Sequence, residues 1–114
     1  LKQSQPVSKK DEIINNAKKY ISANTNCSVA DVARECNISE PYLYLLFKEN
    51  VGCSPNDYRL KAKCKKGIEY LLTTDKTVEE ISALIGLSSA SHFRRILKSH
   101  MGVTPKEVRK KSDF

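Results

Sequence analysis

Two neighbouring arginines, Arg94 and Arg95, are the side chains whose type and position point most directly to chemistry. The apolar residues around them recur at the i, i+3, i+4 spacing of one buried helix face, and they are Phe93, Ile96 and Leu97. A helix that buries this stripe turns both guanidinium groups outward, where arginine can donate two hydrogen bonds to guanine O6 and N7. The segment 89–100 therefore predicts a base-reading helix, with a solvated basic face as the alternative.

A second segment, 40–50, repeats this spacing with different outward residues. Leu43, Leu46 and Phe47 form its inward stripe. The outward residues are Pro41, Tyr44, Leu45 and Lys48. A leucine here can contact a thymine methyl group, and a tyrosine can hydrogen-bond a base or a phosphate. The alternative is that this apolar patch packs on a neighbouring domain or subunit, and the sequence leaves both interpretations open.

Other kinds of chemistry find little support in the sequence. The four cysteines, Cys27, Cys36, Cys53 and Cys64, form no C-x-x-C pair. We therefore expect free thiols, and we expect neither a metal site nor a cofactor. We find no paired carboxylates in a pocket-forming pattern, no Ser/His/Asp order and no phosphate-binding loop. An enzyme is therefore not expected.

Composition narrows the class of partner. The chain has 114 residues, a formal net charge of +7 and a pI of about 9.3. Such a basic domain favours a polyanion, either nucleic acid or an anionic membrane surface. No apolar run has the roughly 18 residues that a membrane span requires. Because no secretory signal opens the chain and it lacks an initial Met, we expect a cytoplasmic fragment of a longer protein.

An internal repeat organises the chain. Residues 29–59 align with residues 78–109, first at an offset of 49 and then, after one extra residue in the second copy, at 50. Each copy has a capped helix, a turn at Asn37 or Gly86, and a second helix capped by Ser39 or Ser88. A short helix, a tight turn and a second helix make a helix-turn-helix unit.

The predicted fold is all-α, with seven helices and two helix-turn-helix units in a homeodomain-like arrangement. Residues 10–73 should form the first unit with a long linking helix (Pro55 to Thr73), and residues 74–114 the second unit. A leading helix, Lys10 to Asn24, should bury Ile13, Ala17, Tyr20 and Ile21. The polar residues 1–9 are typical of a linker.

Lysines and serines in or beside the two second helices are expected to contact DNA phosphates, which position a protein without reading sequence. They are Ser39, Lys48, Lys63, Ser89 and Lys98. Two such helices on one DNA-binding body should occupy successive major grooves, about 34 Å or 10 base pairs apart.

The chain resembles the C-terminal DNA-binding domain of the AraC/XylS family of transcription regulators. The resemblance covers nearly everything from Asp11 to Lys111 and is most specific in the stretch from Ile81 to Phe93, continuing through Lys98 to Gly102-Val103-Thr104-Pro105. The first unit has the matching Phe47-Lys48 and Gly52-x-Ser54-Pro55. The family implies bacterial promoter binding, recruitment of RNA polymerase as an activator, and a separate sensor or receiver domain.

By position, the family's base-reading residues fall on Pro41, Tyr44 and Leu45 in the first unit and on Ala90, Ser91, Arg94 and Arg95 in the second. Proline and leucine replace the usual polar readers of the first unit. That departure leaves a protein-interaction role for the Tyr44–Leu45 face as the alternative function.

Overall fold

The computed structural model describes residues 8–111, with Lys111 described by its backbone alone. Within this range the chain forms seven helices and no strands, as the sequence predicts. They are α1 (Lys9–Ala23), α2 (Val29–Glu35), α3 (Glu40–Asn50), α4 (Pro55–Thr73), α5 (Val78–Leu84), α6 (Ala90–Met101) and α7 (Pro105–Lys111). The expected linking helix has the predicted bounds, and no helix of the described part is long and apolar enough to cross a membrane.

Chain contacts divide the protein between Asn56 and Asp57. We use "first unit" for residues 8–56 and "second unit" for residues 57–111. The expected division into 10–73 and 74–114 follows the motifs and stays a proposal. Of the expected linker, residues 1–7 lie outside the described residues, whereas Ser8 caps α1 and Lys9 is its first residue.

Reciprocal side-chain caps begin α2 and α5. The Ser28 hydroxyl accepts a hydrogen bond from the Asp31 backbone N–H, and the Asp31 carboxylate accepts one from the Ser28 backbone N–H. Thr77 and Glu80 repeat the arrangement, which is the reciprocal pairing known as a capping box. The pKa of Asp31 is lowered, mainly by the hydrogen bond from the Ser28 N–H and next by the one from the Arg34 side chain. The hydrogen bond from the Thr77 N–H lowers the pKa of Glu80 in the same way.

The core of the first unit lies where α1, α2 and α3 pack together. Ala17 and Ile21 are buried as predicted, but Ile14, and not Ile13, completes the α1 stripe. Ile13 and Tyr20 are only partly buried. The α3 stripe of Leu43, Leu46 and Phe47 is fully buried, as its spacing predicts.

The second unit has its own core. In it, α4 supplies the buried residues that correspond to those of α1 in the first unit. At an offset of 50, the buried α1 positions Ile14, Ala17 and Ile21 correspond to Cys64, Gly67 and Leu71 of α4, which are also buried. Gly67 lies so close to α6 that a Cβ atom there would be 2.5 Å from Cζ of Phe93. The repeat thus extends upstream of the segment in which the sequence reveals it.

Candidate nucleic-acid interface

The second helix-turn-helix consists of α5, a tight turn and α6. Gly86 has a φ of 78°, and its N–H donates to the Ala83 carbonyl over 3.2 Å. The next N–H, from Leu87, donates to the Ser82 carbonyl over 2.8 Å. These bonds end α5 and redirect the chain within three residues, and the positive φ explains why glycine stands at the predicted turn centre.

The residue that caps α6 is Ser89, and the expectation that Ser88 does so is wrong. The Ser89 hydroxyl accepts from the His92 backbone N–H over 3.1 Å. Ser88 instead places its hydroxyl 3.4 Å from Nδ1 of His92. Because Ser39 caps α3 in the same way, the extra residue of the second copy is Ser88 itself, before the helix and not inside it.

The outward face of α6 is cationic. Phe93, Ile96 and Leu97 are buried as predicted. Four of the expected contact residues are exposed on the same helix, and they are Ser91, Arg94, Arg95 and Lys98. Lys98 also lies 3.4 Å from the Gly102 carbonyl, to which its Nζ donates. Ala90 is only 8% exposed, so the structure does not bring it together with the other proposed base-reading side chains.

The first helix-turn-helix presents a different surface. Asn37 adopts a φ of 58°, in place of the glycine of the second unit, and Ser39 caps α3 with a 3.2 Å bond from the Tyr42 N–H. The exposed residues include all four that spacing predicts, namely Pro41, Tyr44, Leu45 and Lys48. Tyr42, 36% exposed, was not among the predicted residues, although its position three residues before Leu45 places it beside that residue.

Lys63 does not lie on the surface, which corrects the expectation that it contacts phosphate. Its side chain is 2% exposed, and Nζ donates to the Ile85 carbonyl over 2.6 Å. Ile85 is the C-cap of α5, where unpaired carbonyl groups attract a cation. Lys63 therefore fastens the end of α5 to α4, immediately before the turn that leads to α6.

Some of the other cations of the second unit bond within the protein, and others are exposed on its surface. Arg109 donates from Nε to the Leu71 carbonyl over 3.2 Å and from its guanidinium to the Thr74 carbonyl over 3.0 Å, so it caps the end of α4. Lys66 pairs with Glu69 over 3.1 Å, a bond that raises the pKa of Lys66. Lys61 and Lys65 are exposed and are open to phosphate.

None of the four cysteines forms a disulfide, and all four lie within the described residues. Cys27 and Cys64 are buried, and Cys36 and Cys53 are partly buried. Burial raises the pKa of Cys64 to about 11, which keeps its thiol protonated at neutral pH. Among the described residues, no three His, Cys, Asp or Glu side chains are grouped so that they could hold a metal ion.

Comparison with known proteins identifies the fold and the family. A solved AraC-type transcriptional regulator from Chromobacterium violaceum superimposes with a TM-score of 0.84 and 28% identity, over 90% of this chain and 93% of that one. The family model described as "Helix-turn-helix domain" matches residues 32–111. This chain belongs to the AraC-type helix-turn-helix family. The resemblance found in the sequence is thereby confirmed, and the chain is a DNA-binding domain of a transcription regulator.

Two curated relatives of this AraC-type domain regulate operons. The Msm operon regulatory protein of Streptococcus mutans is 33% identical over 100 residues, which cover 85% of this chain and 36% of the relative. The lactose operon transcription activator of Staphylococcus xylosus is 31% identical over 101 residues, covering 87% of this chain and 36% of the relative. The chain thus spans a little over a third of the length of these relatives. The family and the relatives are regulators of transcription, a class distinct from enzymes.

Proposed function

We propose that α6 reads base edges in the major groove of double-stranded promoter DNA. The observation that carries the proposal is the exposed pair Arg94 and Arg95 on a helix whose opposite face is buried. Each guanidinium can donate two hydrogen bonds to guanine, and Ser91 stands one helical turn earlier on the same surface. Ala90 is left out of this set because its buried methyl group belongs to the core.

Phosphate contacts would hold this helix in register. The exposed Ser89 and Lys98 lie at the two ends of the base-reading residues, where a DNA backbone runs past a helix in the major groove. Residues 57–111 contain 13 Lys and Arg against 6 Asp and Glu, whereas residues 8–56 contain six of each. The second unit therefore supplies most of the electrostatic attraction to DNA.

The first unit would bind an adjacent stretch of the same DNA through α3. Its Ser39 and Lys48 occupy the places of Ser89 and Lys98 in the repeat, and all four are exposed. We propose that the two helices enter successive major grooves at half-sites about 10 base pairs apart. The reading residues of this unit would be Pro41, Tyr44 and Leu45.

In the whole protein, this domain would serve a bacterial activator that recruits RNA polymerase in the cytoplasm. The activator named among its relatives supports the direction of regulation. The short span relative to those proteins supports a sensor or receiver domain elsewhere in the full-length chain. That domain would supply the signal to which transcription responds.

A protein-interaction role for α3 is the second candidate. Tyr44 is 38% exposed and Leu45 51%, so together they offer an apolar face to a partner. Leu45→Glu would then abolish the protein contact while DNA affinity stays unchanged. A loss of DNA affinity in this variant supports base reading by α3 instead.

The deciding experiment is selection of the purified chain on a random duplex library at one fixed salt concentration near the physiological value. A two-part motif with half-sites about 10 base pairs apart is the expected result. A single short motif would limit base reading to α6. Equal recovery of all sequences would overturn the proposal, because non-specific electrostatic attraction has no sequence preference.

A further inference from the structure

The two units share one set of backbone-binding groups but differ at every base-reading position. We call Ser39 and Lys48, with their repeat partners Ser89 and Lys98, the shared frame. All four side chains are exposed, and each serine caps its helix through the N–H three residues later. Between the two ends of the frame, the pairs at an offset of 50 are Pro41 and Ser91, Tyr44 and Arg94, and Leu45 and Arg95.

The readers that recognise purines by paired hydrogen bonds are missing from α3. Its sequence contains no Arg and no Gln, and its one Asn, Asn50, donates from Nδ2 to the Leu46 carbonyl over 3.0 Å. Bidentate recognition of guanine requires Arg or Lys, and that of adenine requires Asn or Gln. Lys48 is the one cation of the helix, and its place in the shared frame assigns it to phosphate.

Apolar atoms take the place of those readers. Leu45 is 51% exposed and is flanked on the same helix by Tyr44 and Tyr42, which are 38% and 36% exposed. In the major groove, the apolar group that a base presents is the 5-methyl group of thymine. A purine edge or a cytosine amino group facing Leu45 would lose hydrogen bonds to water without gaining a partner.

We infer that the first unit recognises thymine through its 5-methyl group, with Leu45 as the specificity-determining residue. The inference rests on the proposed function, because it requires α3 to enter the major groove. DNA is favoured over a protein partner on this face because α3 keeps the frame that α6 has. The first half-site is therefore thymine-containing and read by apolar contact, whereas the second is guanine-containing and read by hydrogen bonds.

The test removes single methyl groups from DNA. The chain is bound to the duplex obtained by selection, with each thymine of the first half-site replaced in turn by deoxyuridine. The first half-site is the one in which no base position loses its preference when Arg95 is replaced by Ala. At one or two positions we expect about fourfold weaker binding, the change that corresponds to about 0.8 kcal/mol for one buried methyl group. Deoxyuridine in the second half-site should leave affinity unchanged.

A complementary base analogue serves as the matched control. 7-Deazaguanine lacks the N7 acceptor, so in the second half-site it should weaken binding by removing one arginine bond. In the first half-site it should have no effect. This pattern of opposite sensitivities is specific to two half-sites read by different chemistry.

Variants of Leu45 connect the DNA effect to the side chain. Leu45→Ala should bind thymine and deoxyuridine duplexes equally, whereas Leu45→Met, which keeps an apolar side chain of similar length, should retain the difference. Both variants should fold, because Leu45 is half exposed. Specific binding that is indifferent to deoxyuridine at every thymine of the first half-site would overturn the inference but leave the proposed function standing. Failure to recover any specific duplex would overturn both.

Discussion

The two helix-turn-helix units have one architecture but different surfaces. The first unit has equal numbers of acidic and basic residues, and its α3 exposes Tyr44 and Leu45. The second unit carries the positive charge, and its α6 exposes Arg94 and Arg95 at the equivalent places. The shared stripes, caps and turns specify how each unit folds, whereas the exposed positions between them remain free to differ in what they bind.

The same comparison reveals a difference inside the units. In the first unit, the Cys36 thiol donates to the Ile13 carbonyl over 3.9 Å, where the first helix meets the end of the second. Ile13 and Cys36 correspond in the repeat to Lys63 and Ile85, which form the buried ammonium–carbonyl contact of the second unit. One junction is thus held mainly by apolar packing and the other by a buried cation.

Lys63→Ala should have the largest effect on the second unit. It removes the bond to the Ile85 carbonyl and leaves a cavity, so we expect a loss of about 2–4 kcal/mol in the free energy of unfolding. Denaturant unfolding measures this loss. Lys63→Ile introduces the residue found at the equivalent position of the first unit. It fills the space but cannot restore the hydrogen bond, so the free energy of unfolding should fall by less, about 1–3 kcal/mol.

DNA binding separates this role from a phosphate contact. The slope of log affinity against log salt should be unchanged in Lys63→Ala, because a buried amine releases no counterion from DNA. Normal stability together with a slope reduced by about 0.9 would show that Lys63 contacts phosphate after all.

Arg95→Ala should have the next largest effect, on recognition and not on stability. It should cost about 1–3 kcal/mol on the selected site and relax the preference at one base position. Lys98→Ala is the matched control, since it should weaken all sequences alike and reduce the salt slope. If Arg95→Ala weakens every duplex by the same factor, Arg95 does not read bases.

Gly67→Ala tests the core that the two units build from equivalent positions. A Cβ at Gly67 meets the buried ring of Phe93, so overpacking of about 1–3 kcal/mol should exceed the gain of about 1 kcal/mol from better helix propensity. The reverse change at the repeat position, Ala17→Gly, should cost about 2 kcal/mol, because it lowers helix propensity and removes a buried methyl group without overpacking. Thermal unfolding compares the two, and stabilisation by Gly67→Ala would contradict the close approach of α4 and α6.

The capping boxes should show the smallest effect and no difference between units. Ser28→Ala and Thr77→Ala should each cost about 1 kcal/mol by denaturant unfolding. The native pKa values of Asp31 and Glu80 are lowered, so the carboxylate part of each capping box contributes stability above the unfolded pKa values, and this contribution is lost as pH falls through the lowered ones. Asp31→Asn should therefore reduce the decline of stability in acid. If only one of the two cap substitutions lowered stability, the capping boxes of α2 and α5 would not be equivalent.

Local patterns in the sequence predict the elements of this fold well. The buried stripes of α3 and α6 follow from helical spacing, and the turns follow from residues that tolerate positive φ. Such patterns cannot choose between adjacent residues of the same type. Ser88 and Ser89 could each cap α6, and Ile13 and Ile14 could each be the buried residue of α1. Only the packed structure decides between them.

Side-chain type alone misleads where the environment is unusual. A lysine in a basic helix predicts a solvated group, yet Lys63 is enclosed because α5 ends against α4 and its last carbonyls require a donor. Ala90 is not exposed with the other predicted readers for a related reason, since a small residue in the first turn of α6 fits into the core. Neither outcome follows from spacing, because each depends on what another helix brings to that point.

The enclosed ammonium of Lys63 has a consequence for chemical labelling. An amine-directed acylating reagent modifies the amines that it reaches, and Lys61 and Lys65 are exposed on the same helix. Acylation of Lys63 requires the junction with Ile85 to open first, so in the free protein its rate relative to those two neighbours reports the fraction of molecules in which the junction is open. Mass spectrometry would thus measure this open fraction in the free protein, and slower acylation of Lys63 in the DNA-bound protein would show that DNA keeps the junction closed.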